Sequence, residues 1–163
     1  MATASSTLDR IVCELEIGDL ERVTMIDRSL TGRTRRRFFE MRFAAARERP
    51  ESFIHLGVMR GGTLRGFAFA RILAGEFGRQ RAVAMLDVVG VEPHSQRLGV
   101  GQELMGELVR RVRERGADSL QSQAVWTNHA LLRFFEMSGF QLAARSALER
   151  SVTEPLAEAS EDV

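Results

Sequence analysis

The stretch Glu92–Gly116, EPHSQRLGVGQELMGELVRRVRERG, decides how the rest of the chain is read. Val100, Leu104, Leu108 and Val112 recur at helical spacing and Gly116 supplies a stop, which predicts an amphipathic helix. Directly before and into that helix runs Gln96-Arg97-Leu98-Gly99-Val100-Gly101. Glycines at a helix start let an anion approach backbone N–H groups that lack partners, at the positive end of the helix dipole. Arg97 adds a charged donor at the rim. Spacing excludes two nucleotide motifs. No Gly-Lys-Ser/Thr follows, so this is not a P-loop, and the third glycine of a dinucleotide fingerprint would fall on Leu104. A helix start that holds no ligand is the competing reading at this point.

Working outward, Arg10 to Glu16 alternates as a strand, with Ile11, Cys13 and Leu15 on one side. Asp19 is placed to cap a helix through about Leu30, closed by Gly32; Arg33 to Arg49 predicts a second helix, stopped by Pro50. Phe53–Arg60, Leu64–Leu73 and Ala82–Val91 read as strands whose short glycine-bearing connections favour antiparallel pairing. Beyond the quoted helix, Ser119–Val125 predicts a strand, Asn128–Ser138 a helix ended by Gly139, and Phe140–Ala144 and Ala147–Val152 two last strands. The order β-α-α-β-β-β-α-β-α-β-β describes an α/β chain with a mixed sheet: an antiparallel meander running into a central βαβ unit. One domain over residues 10–152 is expected, between a flexible lead-in at 1–9 and an acidic, disordered tail at 153–163.

With 163 residues and 44% hydrophobic content the chain can bury a sizeable core. Its net charge of +1 disfavours a nucleic-acid surface, and the lack of a long apolar run or a secretory leader predicts a cytoplasmic protein with no membrane contact. A single cysteine, Cys13, and three histidines without ligand spacing, His55, His94 and His129, predict no metal. Every basic residue is arginine and there is no tyrosine.

The run Leu86-Asp87-Val88-Val89-Gly90-Val91-Glu92-Pro93, followed by Gln96 to Gly101, resembles motif A of the GNAT acetyltransferase superfamily. Asn128 to Phe140, NHALLRFFEMSGF, is similar to its motif B, and the element order matches from Ile11 to Val152. The resemblance implies a GNAT-like fold with splayed fourth and fifth strands, and acetyl-CoA as cosubstrate. Its pyrophosphate would rest on the amides of Gln96, Arg97, Leu98, Gly99, Val100 and Gly101, and its pantetheine arm would pair with Val89 and Val91. The Val89 N–H would hold the thioester carbonyl and the oxyanion, Asn128 would lie near the pantetheine and Phe134 by the thiol. The position where many members carry a tyrosine acid is Phe135.

The reaction implied is direct acetyl transfer to a primary amine of a small molecule or a protein, by a chain for which a homodimer is an open option. An amine must shed a proton first, and Asp87, a carboxylate inside an apolar strand, is the candidate base. Its alternative is a structural carboxylate paired with an arginine, and a bulge in the strand would upset the alternation used here. Glu76 is a weaker candidate base, and the arginines from Arg33 to Arg42 are either a recruiting cluster or a solvated helix face. The rival function is a noncatalytic acyl-CoA-binding or protein-interaction module that keeps the fold.

Overall fold

The structure, a computed structural model, describes residues 10–75 and 80–153. The lead-in 1–9, Glu76 and the tail beyond Thr153 lie outside the described residues. Strand β1 (Arg10–Glu14) is followed by helices α1 (Leu20–Thr31) and α2 (Arg36–Glu48). Strands β2 (Phe53–Arg60), β3 (Thr63–Leu73) and β4 (Ala82–Val91) follow, then α3 (Val100–Glu114), β5 (Ala117–Ser122) and α4 (His129–Met137). Gly32 ends α1 in the left-handed region at φ 68°, as a Cβ-free residue allows. Asp19 stands before α1, but its carboxylate accepts from the Glu16 N–H at 2.9 Å and does not cap the helix.

The strands lie in the order β1-β2-β3-β4-β5, the first four antiparallel and β5 parallel to β4 across the α3 crossover. One face packs on α3 and α4 through Leu56, Val58, Leu86, Leu104, Leu108 and Phe135. The other face packs on α1 and α2 through Val23, Ile26, Phe39, Phe43, Phe67 and Phe69. Phe39 meets Phe67 and Phe69 edge to face at centroid distances of 5.6 and 5.4 Å, the geometry that aromatic quadrupoles favour.

The two last strands expected from the sequence are absent. Phe140 turns back onto α4, its N–H donating to Phe135 O at 3.0 Å, and Leu142 and Leu148 are 98% and 94% exposed. Alternating apolar residues define a strand face, but without a neighbouring ladder the segment gains no hydrogen bonds, and a lone hairpin is marginal in water. The described order is therefore β-α-α-β-β-β-α-β-α. Strand β5 also starts and stops earlier than its apolar residues suggest, because its pairing with β4 sets its bounds.

That pairing positions the site. It runs from Ala82 opposite Ala117 to Leu86 opposite Ser122, and then stops, while β4 continues to Val91 on its β3 side alone. The two parallel strands part at Leu86, as a splayed pair should.

Candidate active site

The splay leaves an opening bounded by the end of β4, the start of α3 and the connection into α4. Its polarity follows from a β-bulge. Phe69 pairs with Val88 and Ala70 with Leu86, so Asp87 is an extra residue in β4. Leu86 lies on the α3 face, whereas Val88 packs with the α1–α2 cluster and Val89 and Val91 return to the α3 face. The extra residue thus resets the alternation, and the Asp87 side chain meets arginines of β3 and α2.

The backbone edge facing the opening can be traced. Leu86 O accepts from Ser122 Oγ at 3.0 Å and Val91 O from Gln96 Nε2 at 3.2 Å, both away from β3. Glu92 N–H donates back to Arg65 O at 2.8 Å. Alternation between these points turns the N–H and C=O of Val89 toward the open side.

At the start of α3, Gly99 sits at φ 86° in the position before the helix, and its C=O accepts the first helical bond, from Glu103 N–H at 3.0 Å. Among the described residues no backbone hydrogen bond starts from the N–H groups of Arg97 to Gln102. Such a row of free donors fits an anionic pyrophosphate. Gln96 differs from the rest of the loop: its N–H already donates to Pro93 O at 3.4 Å and its side chain holds Val91. Arg97 takes φ 59°, uncommon for a residue with a Cβ, while Leu98 is 51% exposed.

The structural reason for Gly101 differs from the one read in the sequence. A Cβ there would lie 2.7 Å from Phe134 Cε2, so the missing side chain makes room for an aromatic ring before it makes room for an anion. Phe134 packs on the start of α3 in this way, and Asn128 caps α4 by accepting from Leu131 N–H at 3.2 Å. Phe135 is buried against Phe140, at a centroid distance of 4.8 Å.

Asp87 has a side chain 8% exposed and is gripped by a guanidinium fork: Arg71 Nε lies 2.8 Å from Oδ2 and Arg71 Nη2 2.8 Å from Oδ1. Arg42 Nε approaches Oδ2 at 3.1 Å without hydrogen-bond geometry. Of the two readings of this carboxylate, the arginine-paired one has its partners in place. Two other arginines of this region are similarly occupied. Arg35 pairs with the buried Asp27, and Arg36 with Glu21 and Glu40.

Three supports were not visible in the sequence, because each joins residues far apart in the chain. Arg22 and Arg65 clamp Glu92 at the exit of β4, the latter at 2.7 Å, and their pull holds that carboxyl below the usual range. Arg60 Nη2 donates to Leu98 O at 2.6 Å and fixes the glycine loop. The only foothold for finding them was an excess of arginine.

The remaining candidates separate from the opening. His55 is 6% exposed between Phe43, Phe53 and Phe69, with Nε2 unpartnered. Burial, assisted by Arg42, pushes it down to about 4, so it is neutral at pH 7. His94 and His129 are exposed. Cys13 packs on the α1–α2 cluster, and burial raises its thiol, which opposes a nucleophilic role. Two surface depressions, of about 590 and 390 Å³, lie at the opposite end of the sheet. Among the described residues no His, Cys, Asp and Glu group is placed to hold a metal ion, and no helix is long and apolar enough to cross a membrane.

Residues 17–140 match the acetyltransferase (GNAT) family model. A mycothiol acetyltransferase from Thermobispora bispora is 32% identical over 81 residues, half of this chain and 28% of that protein, so the match spans little more than a quarter of the relative's length. The fold superposes on the aminoglycoside N-acetyltransferase AAC(6')-Iy in complex with CoA, with a TM-score of 0.74 at 18% identity over 93% of this chain and 99% of the other. An aminoglycoside acetyltransferase from an uncultured soil metagenomic sample, solved with sisomicin, gives 0.70 at 12% identity over 88% and 95%. With the family model spanning both the splayed strands and the glycine loop, the chain belongs to the GNAT acetyltransferase family.

Proposed function

We propose that this chain is an N-acetyltransferase that passes the acetyl group of acetyl-CoA directly to a primary amine. The observation that carries the reading is the opening itself: β4 and β5 part at Leu86, exposing the backbone edge at Val89 and Val91 beside the free N–H groups of Arg97 to Gln102. That edge offers an extended arm the hydrogen bonds of an added strand, and the helix start offers its phosphates a positive dipole. Acetyl-CoA supplies an activated thioester there. The Val89 N–H is turned to polarise the thioester carbonyl and to hold negative charge on its oxygen in the transition state.

The chain's own part in proton transfer is small. An ammonium with a lysine-like pKa of about 10.4 costs roughly 4 to 5 kcal/mol to deprotonate at pH 7. Asp87 would serve as the base only by loosening the Arg71 fork that occupies both its oxygens. In this proposal it instead orders the two arginines, and water in the opening takes the proton. No hydroxyl replaces the tyrosine acid at Phe135, and a thiol of pKa about 8.5 leaves tolerably as thiolate. Calorimetric titration of CoA together with thiol release from acetyl-CoA over an amine panel tests the function: CoA binding without amine-dependent thiol release would leave only an acyl-CoA-binding module.

A further inference from the structure

We propose that Arg42 is the anion-recognising residue of the acceptor site, so that the amine acetylated by this chain carries its own oxyanion, a carboxylate or a phosphate. The inference rests on the acetyl-transfer reading above and names the substrate class for that site. Geometry comes first. In the acetyl-transfer reading the free N–H groups at the start of α3 take the donor's phosphates, and the first turn of α3 packs in the same cluster as Val89 and Val91. The acceptor is left to approach the splay from the α1–α2 face, where the bulge delivers Asp87 and its arginines.

Among the described residues the charge there does not balance. Arg42 and Arg71 share the single Asp87 carboxylate, and Arg71 takes it bidentately. Arg42 has its Nε 3.1 Å from Oδ2, buried and without a hydrogen-bond partner among the described residues. Among the described residues no hydrogen bond from its Nη groups is seen, its side chain is 26% exposed, and its guanidinium lies over the Phe38 ring at 5.1 Å, which restricts the orientation of the fork. The unneutralised charge is felt by His55, whose proton affinity Arg42 lowers further below the effect of burial. A docking oxyanion would bring this cluster to neutrality and fill the planar fork. Asp87 precedes Val89 by two residues, roughly 7 Å along a strand, so oxyanion and amine fit on one compact acceptor. A polycation would meet repulsion on the same surface.

The experiment follows thiol release from acetyl-CoA by the whole chain, comparing kcat/KM for β-alanine and O-phosphoethanolamine with β-alaninamide, ethanolamine and the polycation sisomicin. At least tenfold preference for one of the two anionic amines is expected, the two arms telling carboxylate from phosphate. Arg42→Gln should collapse that ratio about tenfold or more, through KM, and Arg42→Lys should restore part of it, since the charge returns without the planar fork. Preference for neutral or cationic amines, or an anionic preference that survives Arg42→Gln, overturns the proposal. If CoA binds and no amine releases thiol, the transfer reading fails. Calorimetry of the same two anions with the CoA-loaded chain and with Arg42→Gln then decides the anion site alone: Arg42-dependent binding supports it and no binding sinks it.

Discussion

The Cβ that any other residue would carry at Gly101 falls 2.7 Å from Cε2 of Phe134, so the first turn of α3 and the aromatic side of α4 are locked by a missing side chain. Gly106, one and a half turns further along the same helix, faces open space within 4 Å. The two glycines therefore respond to alanine with opposite signs. Gly101→Ala has to displace the ring and is expected to cost about 1 to 2 kcal/mol. Gly106→Ala gains helix propensity with no clash and should add roughly 0.5 to 1 kcal/mol. Urea denaturation of the two variants checks this, and equal shifts would remove the packing role of Gly101.

Gly99 works through its backbone. At φ 86° a residue with a Cβ pays about 1 to 2 kcal/mol, and an aspartate would also set a negative charge beside the free N–H row of the α3 start. Gly99→Asp is expected to stay folded by circular dichroism while its CoA affinity drops about a hundredfold or more. Unchanged affinity in a calorimetric titration would remove the loop from phosphate binding.

What could be read from residues alone follows from how local each signal is. The bounds of β2 and β4 and the stops at Gly32, Gly116 and Gly139 are written in neighbouring residues, and the structure places them there. The Asp87 bulge was not legible, because one extra residue in a strand is a property of its register against β3. The same holds for Glu92, gripped by Arg22 across 70 positions, and for the pairing of Arg42 with Asp87. Phe140–Val152 failed in the other direction: its alternation is real, but Leu142, Leu148 and Val152 find nothing to pack on. Motifs thus located the glycine loop at the start of α3, while the arginine pairs around Asp87 are contacts made only in the fold.

Asp87→Asn separates the base from the structural carboxylate. With the carboxylate gone, Arg42 and Arg71 face each other without a counter-charge, and a loss of about 1 to 3 kcal/mol in stability is expected for this partly buried cluster. With water as the proposed proton acceptor, the pH profile of amine acetylation should keep its shape. If the rate instead falls a hundredfold or more and the rising limb disappears, Asp87 is the base and the arginine fork opens during turnover.

His55 gives the fold an acid sensitivity whose sign is fixed. Its pKa is lowered from 6.5 to about 4 in the folded chain, first by burial and then by Arg42. Above pH 6.5 it is neutral whether folded or unfolded and contributes no pH dependence. As pH falls from 6.5 toward 4 the unfolded chain takes up the proton and the folded chain does not, so stability drops by up to 1.36 kcal/mol per pH unit, about 3 kcal/mol in all. Most carboxylates titrate only in the lower part of that window, so the slope between pH 6.5 and 5 belongs mainly to this residue. His55→Phe keeps a flat ring stacked on Phe69, where the centroids now lie 3.9 Å apart, and leaves no orphaned Nε2. It should flatten that slope while changing stability at pH 8 by less than about 1.5 kcal/mol. Urea denaturation of both proteins at pH 8, 6 and 5 reads the difference, and parallel pH curves would show that His55 reaches a proton partner in the folded chain.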